Sequence, residues 1–294
     1  MSNCSRKSDN ISRGPFLKWP GGKQWLCAKF PYLFPENYGT YYEPFLGGGA
    51  VFFFLQHKKA VLTDLNQELI TLYSVMKEQP SDLSRRLKEH EENHCKDYYY
   101  QVRKQTVTDR VDIAARMLYL NRSCFNGLYR VNHLGQFNVP IGSREVFTND
   151  IDSFEEYSHQ LEHAELKACD FAETIQRAGK NDFIFADPPY IAQKQENFIK
   201  YNNRLFRWED QIRLRNELEA AKQRGAIILC TNVDSEQIAE LYKESGFSVI
   251  KLERNSLIAA DKNKRAKIKE MVISSKPVTI GQSLEDTHAD CSTQ

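Results

Sequence analysis

The chain has 294 residues, 41% of them hydrophobic and 27% charged, with a formal net charge of +1. A chain of that size and composition can bury about 70–75% of its unfolded surface as a soluble globular protein, which excludes a disordered protein, and the near-zero net charge excludes one that coats nucleic acid with a uniformly basic face. No apolar run approaches the roughly 18 residues of a membrane span, and the polar opening Met1–Ser12 has no signal-peptide core.

In chain order, residues 1–13 are polar and expected to be disordered, as are residues 280–294. Tyr41–Phe45 has the pattern of a strand, Gly47-Gly48-Gly49 that of a turn, and Val51–Gln56 that of an apolar helix start. A second strand, Lys59–Asp64, ends in an acid that suits ribose hydroxyls and also suits capping of the next helix. Helices are predicted over Leu65–Gln79, Ser81–His94, Asp97–Gln105 and Asp109–Leu120, the last with Ile113, Met117 and Leu120 on one side. Asn126-Gly127 and Asn132–Gly135 mark turns, and Gln136–Val139 is the return arm of a hairpin. Strands resume at Glu165–Phe171, Asp182–Asp187, Ala226–Asn232, Phe247–Glu253 and Glu270–Ser275, with helices at Glu209–Arg224 and Ser235–Ser245. That alternation predicts a doubly wound, mostly parallel Rossmann-like α/β sheet carrying a helical insertion that ends in a ribbon.

The seven cysteines contain no C-x-x-C pair and are odd in number, which fits reduced thiols in a cytoplasmic protein. His90 with His94 and His159 with His163 have i, i+4 spacing but polar neighbours, so exposed helix faces are expected there and no metal site.

Asp187-Pro188-Pro189-Tyr190 directly follows the apolar run Phe183–Ala186. A carboxylate and a proline-fixed carbonyl can accept both hydrogens of an exocyclic aromatic amine, whose lone pair is otherwise delocalised, while the tyrosine ring stacks on the base. The same residues also make a good strand stop. The glycine turn after Tyr41–Phe45 is a nucleotide-cradling layout. Its G-x-G-x-x-G fingerprint is incomplete, because Phe52 stands in the third glycine position, which disfavours NAD. Lys23 is not a P-loop lysine, since Gln24 replaces the Ser/Thr and Leu17 the first glycine. Basic residues cluster at Arg122, Arg130 and Arg144, and again in Lys251–Lys276, where eight Lys/Arg face three acids. Either cluster is a phosphate-contacting surface or a solvated face.

Leu17-Lys18-Trp19-Pro20-Gly21-Gly22-Lys23, the Glu43–Gly49 loop, Asn121–Gly142 and Asp187–Tyr190 come in the order found in Dam-type (D12 class) DNA adenine-N6 methyltransferases. From about Pro15 to Lys276 the chain resembles that family. The resemblance implies S-adenosylmethionine as methyl donor, double-stranded DNA as substrate, and a cytoplasmic, nucleoid-associated protein of bacterial or phage origin that is monomeric in solution. It further implies a catalytic domain of residues 14–64 and 165–279, a target-recognition domain of residues 65–164, and GATC as target. A paired restriction endonuclease acting on the same site is an implied partner.

By this resemblance Asp187, Pro188 and Tyr190 are catalytic, and Trp19, Lys23, Asp64, Phe171 and Asp187 contact the donor together with Gly47, with Glu43 supporting the glycine turn. Phe171 is equally readable as an ordinary core aromatic. The resemblance also places Lys18, Arg122, Phe125, Asn126, Leu128, Arg130, Asn132 and Pro140 on DNA, with Lys18 and Arg130 reading guanines, Leu128 and Pro140 touching thymine methyls, and Phe125 wedging or stacking. For Arg122 and Asn126, turn support and phosphate contact take precedence over base reading. Ser143-Arg144 departs from the Arg-Tyr often found there in the family. Two other classes stay open: a non-catalytic DNA-binding regulator on the same fold, and a methyltransferase of RNA or of a protein amide.

Overall fold

The computed structural model describes residues 14–132, 135–190, 206–255 and 267–278. Residues 191–205 after the Asp187–Tyr190 motif, residues 256–266 within the second basic cluster and both polar termini lie outside the described residues.

Seven strands form one sheet: β1 (Tyr41–Glu43), β2 (Ala60–Asp64), β3 (Ala164–Ala168), β4 (Phe183–Ala186), β5 (Ile227–Val233), β6 (Ser248–Asn255) and β7 (Lys267–Ser274). Their spatial order is β3-β2-β1-β4-β5-β7-β6. The first five run parallel, and β7 runs antiparallel to both β5 and β6. β1, β4 and β5 are Tyr-, Phe- and Ile-rich because both faces are covered, as a parallel sheet between helix layers requires. One apolar layer contains Ile184 and Ile228 with Leu214, Leu218 and Tyr242 from α9 (Trp208–Gln223) and α10 (Glu236–Glu244). This is the expected doubly wound Rossmann-like sheet. Strand order reverses between β1 and β4, and their carboxyl ends open a crevice there.

On the other face the core is continuous from the sheet into the insertion, joining Leu62 and Phe185 to Leu83, Tyr99 and Leu118. α3 (Gln67–Glu78) packs on β2 and β3 and also on α6 (Arg110–Ser123), and α7 (Phe154–Leu161) returns beside α3. α4 (Pro80–Glu92) and α5 (Lys96–Lys104) complete the insertion. Asp109 caps α6 by accepting the N–H groups of Val111 and Asp112. Every residue of α6 from Ala114 to Ser123 is buried, so this helix is enclosed all round, where the sequence pattern suggested one apolar side. His90 and His94 face inward, each ring pairing with a tyrosine hydroxyl, of Tyr98 and Tyr119 respectively.

Two expectations shift at element ends, and one helix is new. β3 stops at Ala168, because Asp170 accepts the N–H of Ala172 and makes Phe171 the first residue of α8 (Phe171–Ile175). α3 starts at Gln67 with Asn66 as its cap, so Asp64 is not the capping residue. α1 (Gln24–Lys29), α2 (Ala50–Leu55) and a 3-10 turn at Pro31–Leu33 flank β1, and α1 had no counterpart in the sequence pattern. Among the described residues, no helix is long and apolar enough to cross a membrane.

Candidate active site and nucleic-acid interface

The glycine turn leaves β1 with Gly47 at φ 48° and Gly49 at φ 66°, a left-handed backbone that side chains resist. The Gly47 N–H donates to Asp64 Oδ2 at 3.1 Å, and the Asn66 N–H to Asp64 Oδ1 at 2.9 Å, so the acid at the end of β2 ties the turn down. The Tyr73 hydroxyl donates to the Gly47 carbonyl from below. A Cβ on Gly47 would stand 2.7 Å from Trp19 Cδ1, so the indole lies directly against the turn. Glu43 is buried under it and accepts from the Tyr41 hydroxyl at 2.8 Å. Burial pushes the Glu43 carboxyl well above the usual carboxylate range, with Asp187 and Asp64 adding to the rise, against hydrogen bonds from Tyr41 and the Phe52 backbone. Burial likewise raises Asp64, against its backbone partners.

Across the crevice, β4 delivers Asp187. Its Oδ1 accepts from Thr231 Oγ1 at 2.6 Å, and its Oδ2 pairs with Lys23 Nζ at 2.8 Å. Lys23 is 3% exposed, its ammonium also donating to the Gly21 carbonyl and lying 3.5 Å from Glu270 Oε2. Burial raises the Asp187 carboxyl, while Lys23 first and Thr231 second favour its ionised form. Pro188 is buried, and the Tyr190 hydroxyl donates to Glu270 Oε2 at 2.7 Å with Lys23 Nζ 5.0 Å from its ring centroid. Lys23 thus lies between two carboxylates, Asp187 held also by Thr231 of β5 and Glu270 of β7 held also by Tyr190. Phe171 stands further along the rim, packed on Phe45 and Phe206 with Arg213 over its ring, and Arg213 is held by both oxygens of Asp170.

Sequence patterns gave no separate place to Thr231, Tyr73 or Glu270. The sequence pattern reads Glu270 only as the start of a strand and as an acid within a basic run. Its signal was an acid directly before the apolar run Met271-Val272-Ile273, and it is 1% exposed.

The segment Asn121–Gly142 reaches this site through its own anchors. Trp19 stacks on Tyr129 with ring centroids 5.1 Å apart and 20° between planes. Asn121 grips Lys18 at both backbone groups, accepting its N–H at 3.1 Å and donating to its carbonyl at 2.8 Å. Lys18 is exposed, and its side chain fills the space over Gly127, where a Cβ would approach Lys18 Cδ to 2.4 Å. Beyond it a narrow hairpin closes: Asn132 N–H donates to the Gln136 carbonyl, Asn138 N–H to the Arg130 carbonyl, and Arg130 Nε to Asn138 Oδ1. The Asn132 side chain braces the same turn through Gln136. Phe125 is 53% exposed, and its N–H donates to the carbonyl of exposed Pro140. Asn126 is exposed at φ 56°, and Leu128 is half-buried.

Arg122 requires correction. It is 5% exposed, both terminal guanidinium nitrogens donating to the oxygens of Asp150 and to the carbonyls of Phe147 and Phe16, so these donors are turned into the protein and away from a DNA-facing surface. In the second basic cluster Lys251 pairs with Asp234 and Lys269 lies near Glu253. Among the described residues no group of three or more His, Cys, Asp or Glu is placed to hold a metal ion.

Residues 19–258 match the family model described as D12 class N6 adenine-specific DNA methyltransferase. The chain is 37% identical over 277 residues to the type II methyltransferase M1.LlaDCHI of Lactococcus lactis subsp. cremoris, covering 91% of this chain and 97% of that protein. It is 33% identical over 269 residues to the DNA adenine methylase of Haemophilus influenzae, covering 89% and 93%. The type II methyltransferase M.MjaIII of Methanocaldococcus jannaschii is 32% identical over 277 residues, covering 85% and 94%.

Proposed function

Because the chain belongs to the D12 class of N6 adenine-specific DNA methyltransferases, we propose that it takes the methyl group from S-adenosylmethionine, extrudes its target adenine from duplex DNA, and acts at GATC. The observation that supports this most is the Asp187 carboxylate, fixed by Lys23 and Thr231 at the mouth of the β1–β4 crevice, opposite the glycine turn.

The residues present fit the donor. Gly47 has no side chain where Trp19 presses on the turn, and Asp64 fixes the turn from behind, so Trp19, Gly47 and Asp64 are the proposed holders. Glu43 supports the turn from below, and Phe171 offers an aromatic wall at the rim. When bound, the sulfonium compound supplies an electrophilic methyl group, so no covalent nucleophile is required of the protein. The protein's task is alignment.

Asp187 and the Pro188 carbonyl accept the two N6 hydrogens of the adenine and free its lone pair. Each carboxylate oxygen has a second lone pair beyond the one taken by Lys23 or Thr231. Tyr190 stacks on the base. Extrusion costs a few kcal/mol, which these contacts and the DNA-facing residues offset. Residues 65–164 are the proposed recognition segment, with α3 as its footing on the sheet and α7 packed on α3. There Lys18 and Arg130 read guanines, Leu128 and Pro140 meet thymine methyls, Phe125 wedges, and Asn126 and Asn132 shape the hairpin and touch the backbone. The likeness of Asn126–Asn132 to members acting on GATC supports that target. Relatives named type II methyltransferases support a role beside a restriction nuclease at the same site, and those named DNA adenine methylases support a role alone.

Labelled methyl from S-adenosylmethionine should appear as N6-methyladenine in duplex DNA, and Asp187→Ala should abolish it. Full activity in that variant would sink the mechanism.

A further inference from the structure

We propose that Glu270 is a positioning residue of the reaction: through the Tyr190 hydroxyl it sets the ring on which the extruded adenine stacks. The inference rests on the reading that Tyr190 stacks on that base.

Glu270 lies on β7, paired with Leu252 of β6 and Val233 of β5, and is 1% exposed. A carboxylate in the middle of a sheet is costly unless donors compensate it, and strand pairing does not call for one. Its Oε2 takes the Tyr190 hydroxyl at 2.7 Å and has Lys23 Nζ at 3.5 Å. The same ammonium is 2.8 Å from Asp187 Oδ2 and lies over the Tyr190 ring, 5.0 Å from its centroid. One buried oxygen therefore fixes both ends of the arrangement: it holds the tip of the ring, and it helps hold the cation that covers one face of that ring and orients Asp187. A base stacking on Tyr190 then takes the face away from Lys23. The Tyr190 ring could swing about its χ angles if the hydroxyl had no partner, and the hydrogen bond removes that freedom before substrate arrives.

The full-length protein is tested with a duplex carrying 2-aminopurine at the target adenine, which brightens when unstacked and is quenched in part by stacking on an aromatic ring. On the wild type, emission should rise above that of free duplex. Tyr190→Phe and Glu270→Leu should both raise it further and lower kcat about tenfold, the scale of one lost buried hydrogen bond, with KM for S-adenosylmethionine unchanged. Glu270→Gln, whose amide oxygen can replace Oε2, should restore emission and bring kcat to within about twofold of wild type. If Tyr190→Phe matches the wild type in kcat and emission, the proposal is overturned whether or not Glu270→Leu folds, because the hydroxyl is then idle. If Glu270→Leu folds and matches the wild type, it is overturned as well. If the wild-type complex shows no rise while methylation proceeds, the stacking reading itself fails and takes the proposal with it.

Discussion

Arg122 illustrates how a basic residue in a DNA-facing segment can belong to the fold instead. Its guanidinium links α6 to the carbonyls of Phe16 and Phe147 and to Asp150. Arg122→Ala should therefore destabilise the protein by about 2–4 kcal/mol through orphaned acceptors and lost packing. Where the variant is folded, the slope of log affinity for DNA against log salt should match the wild type. A slope reduced by about one would mean that Arg122 neutralises a phosphate. His90 carries a different consequence. Burial pushes its ring from the ordinary 6.5 down to about 4, with nearby Arg86 also lowering it. Between those values the unfolded chain binds a proton that the folded chain refuses, so the contribution is complete above the ordinary value and is lost as pH falls towards about 4. Denaturant titrations at neutral and mildly acid pH should show His90→Gln losing less stability on acidification than the wild type; equal losses would contradict this.

The turns and ribbon are the proposed recognition elements, and their chemistry was more legible than their boundaries. Alternating apolar runs showed β1, β2, β4 and β5 to within a residue or two, because strands buried on both faces must be apolar along their length. The end of β3 was misjudged, since Asp170 caps a helix of only five residues that periodicity cannot register. α7 was read only as a helix face at His159 and His163, without bounds, although Phe154, Tyr157 and Leu161 lie at helical spacing, because eight residues give the pattern little length to repeat. The glycine turn and Asp187 were legible because their chemistry is local. Glu270 was not, since its partners Lys23 and Tyr190 are far away in sequence and only the sheet brings them together. Within the ribbon, Arg130→Ala should cost roughly 1–3 kcal/mol of discrimination at one base pair and leave neighbouring positions strict. Methylation rates on duplexes with single substitutions check this, and uniform weakening at all positions would assign Arg130 to phosphate instead.

Across the whole molecule, the sheet and the insertion share one apolar core on the α3 side, from Leu62 and Phe185 to Leu83 and Leu118. They should unfold together, so far-ultraviolet dichroism and tryptophan fluorescence should give coincident transitions. Separated transitions would show that the insertion is an independent unit. The same continuity places the proposed recognition segment and the Asp187 site within one frame, with Trp19 lying on the glycine turn and stacked on Tyr129 of the ribbon. The net charge of +1 makes a diffuse basic attraction a poor source of specificity, which accords with the proposal that the ribbon and Lys18 supply it. The most direct measurement expresses the chain in a host lacking adenine methylation and maps N6-methyladenine across its genome. Marks confined to GATC, and none with Asp187→Ala, are the predicted result; methylation of cytosine alone, or adenine marks at sites without a GAT element, would contradict the account.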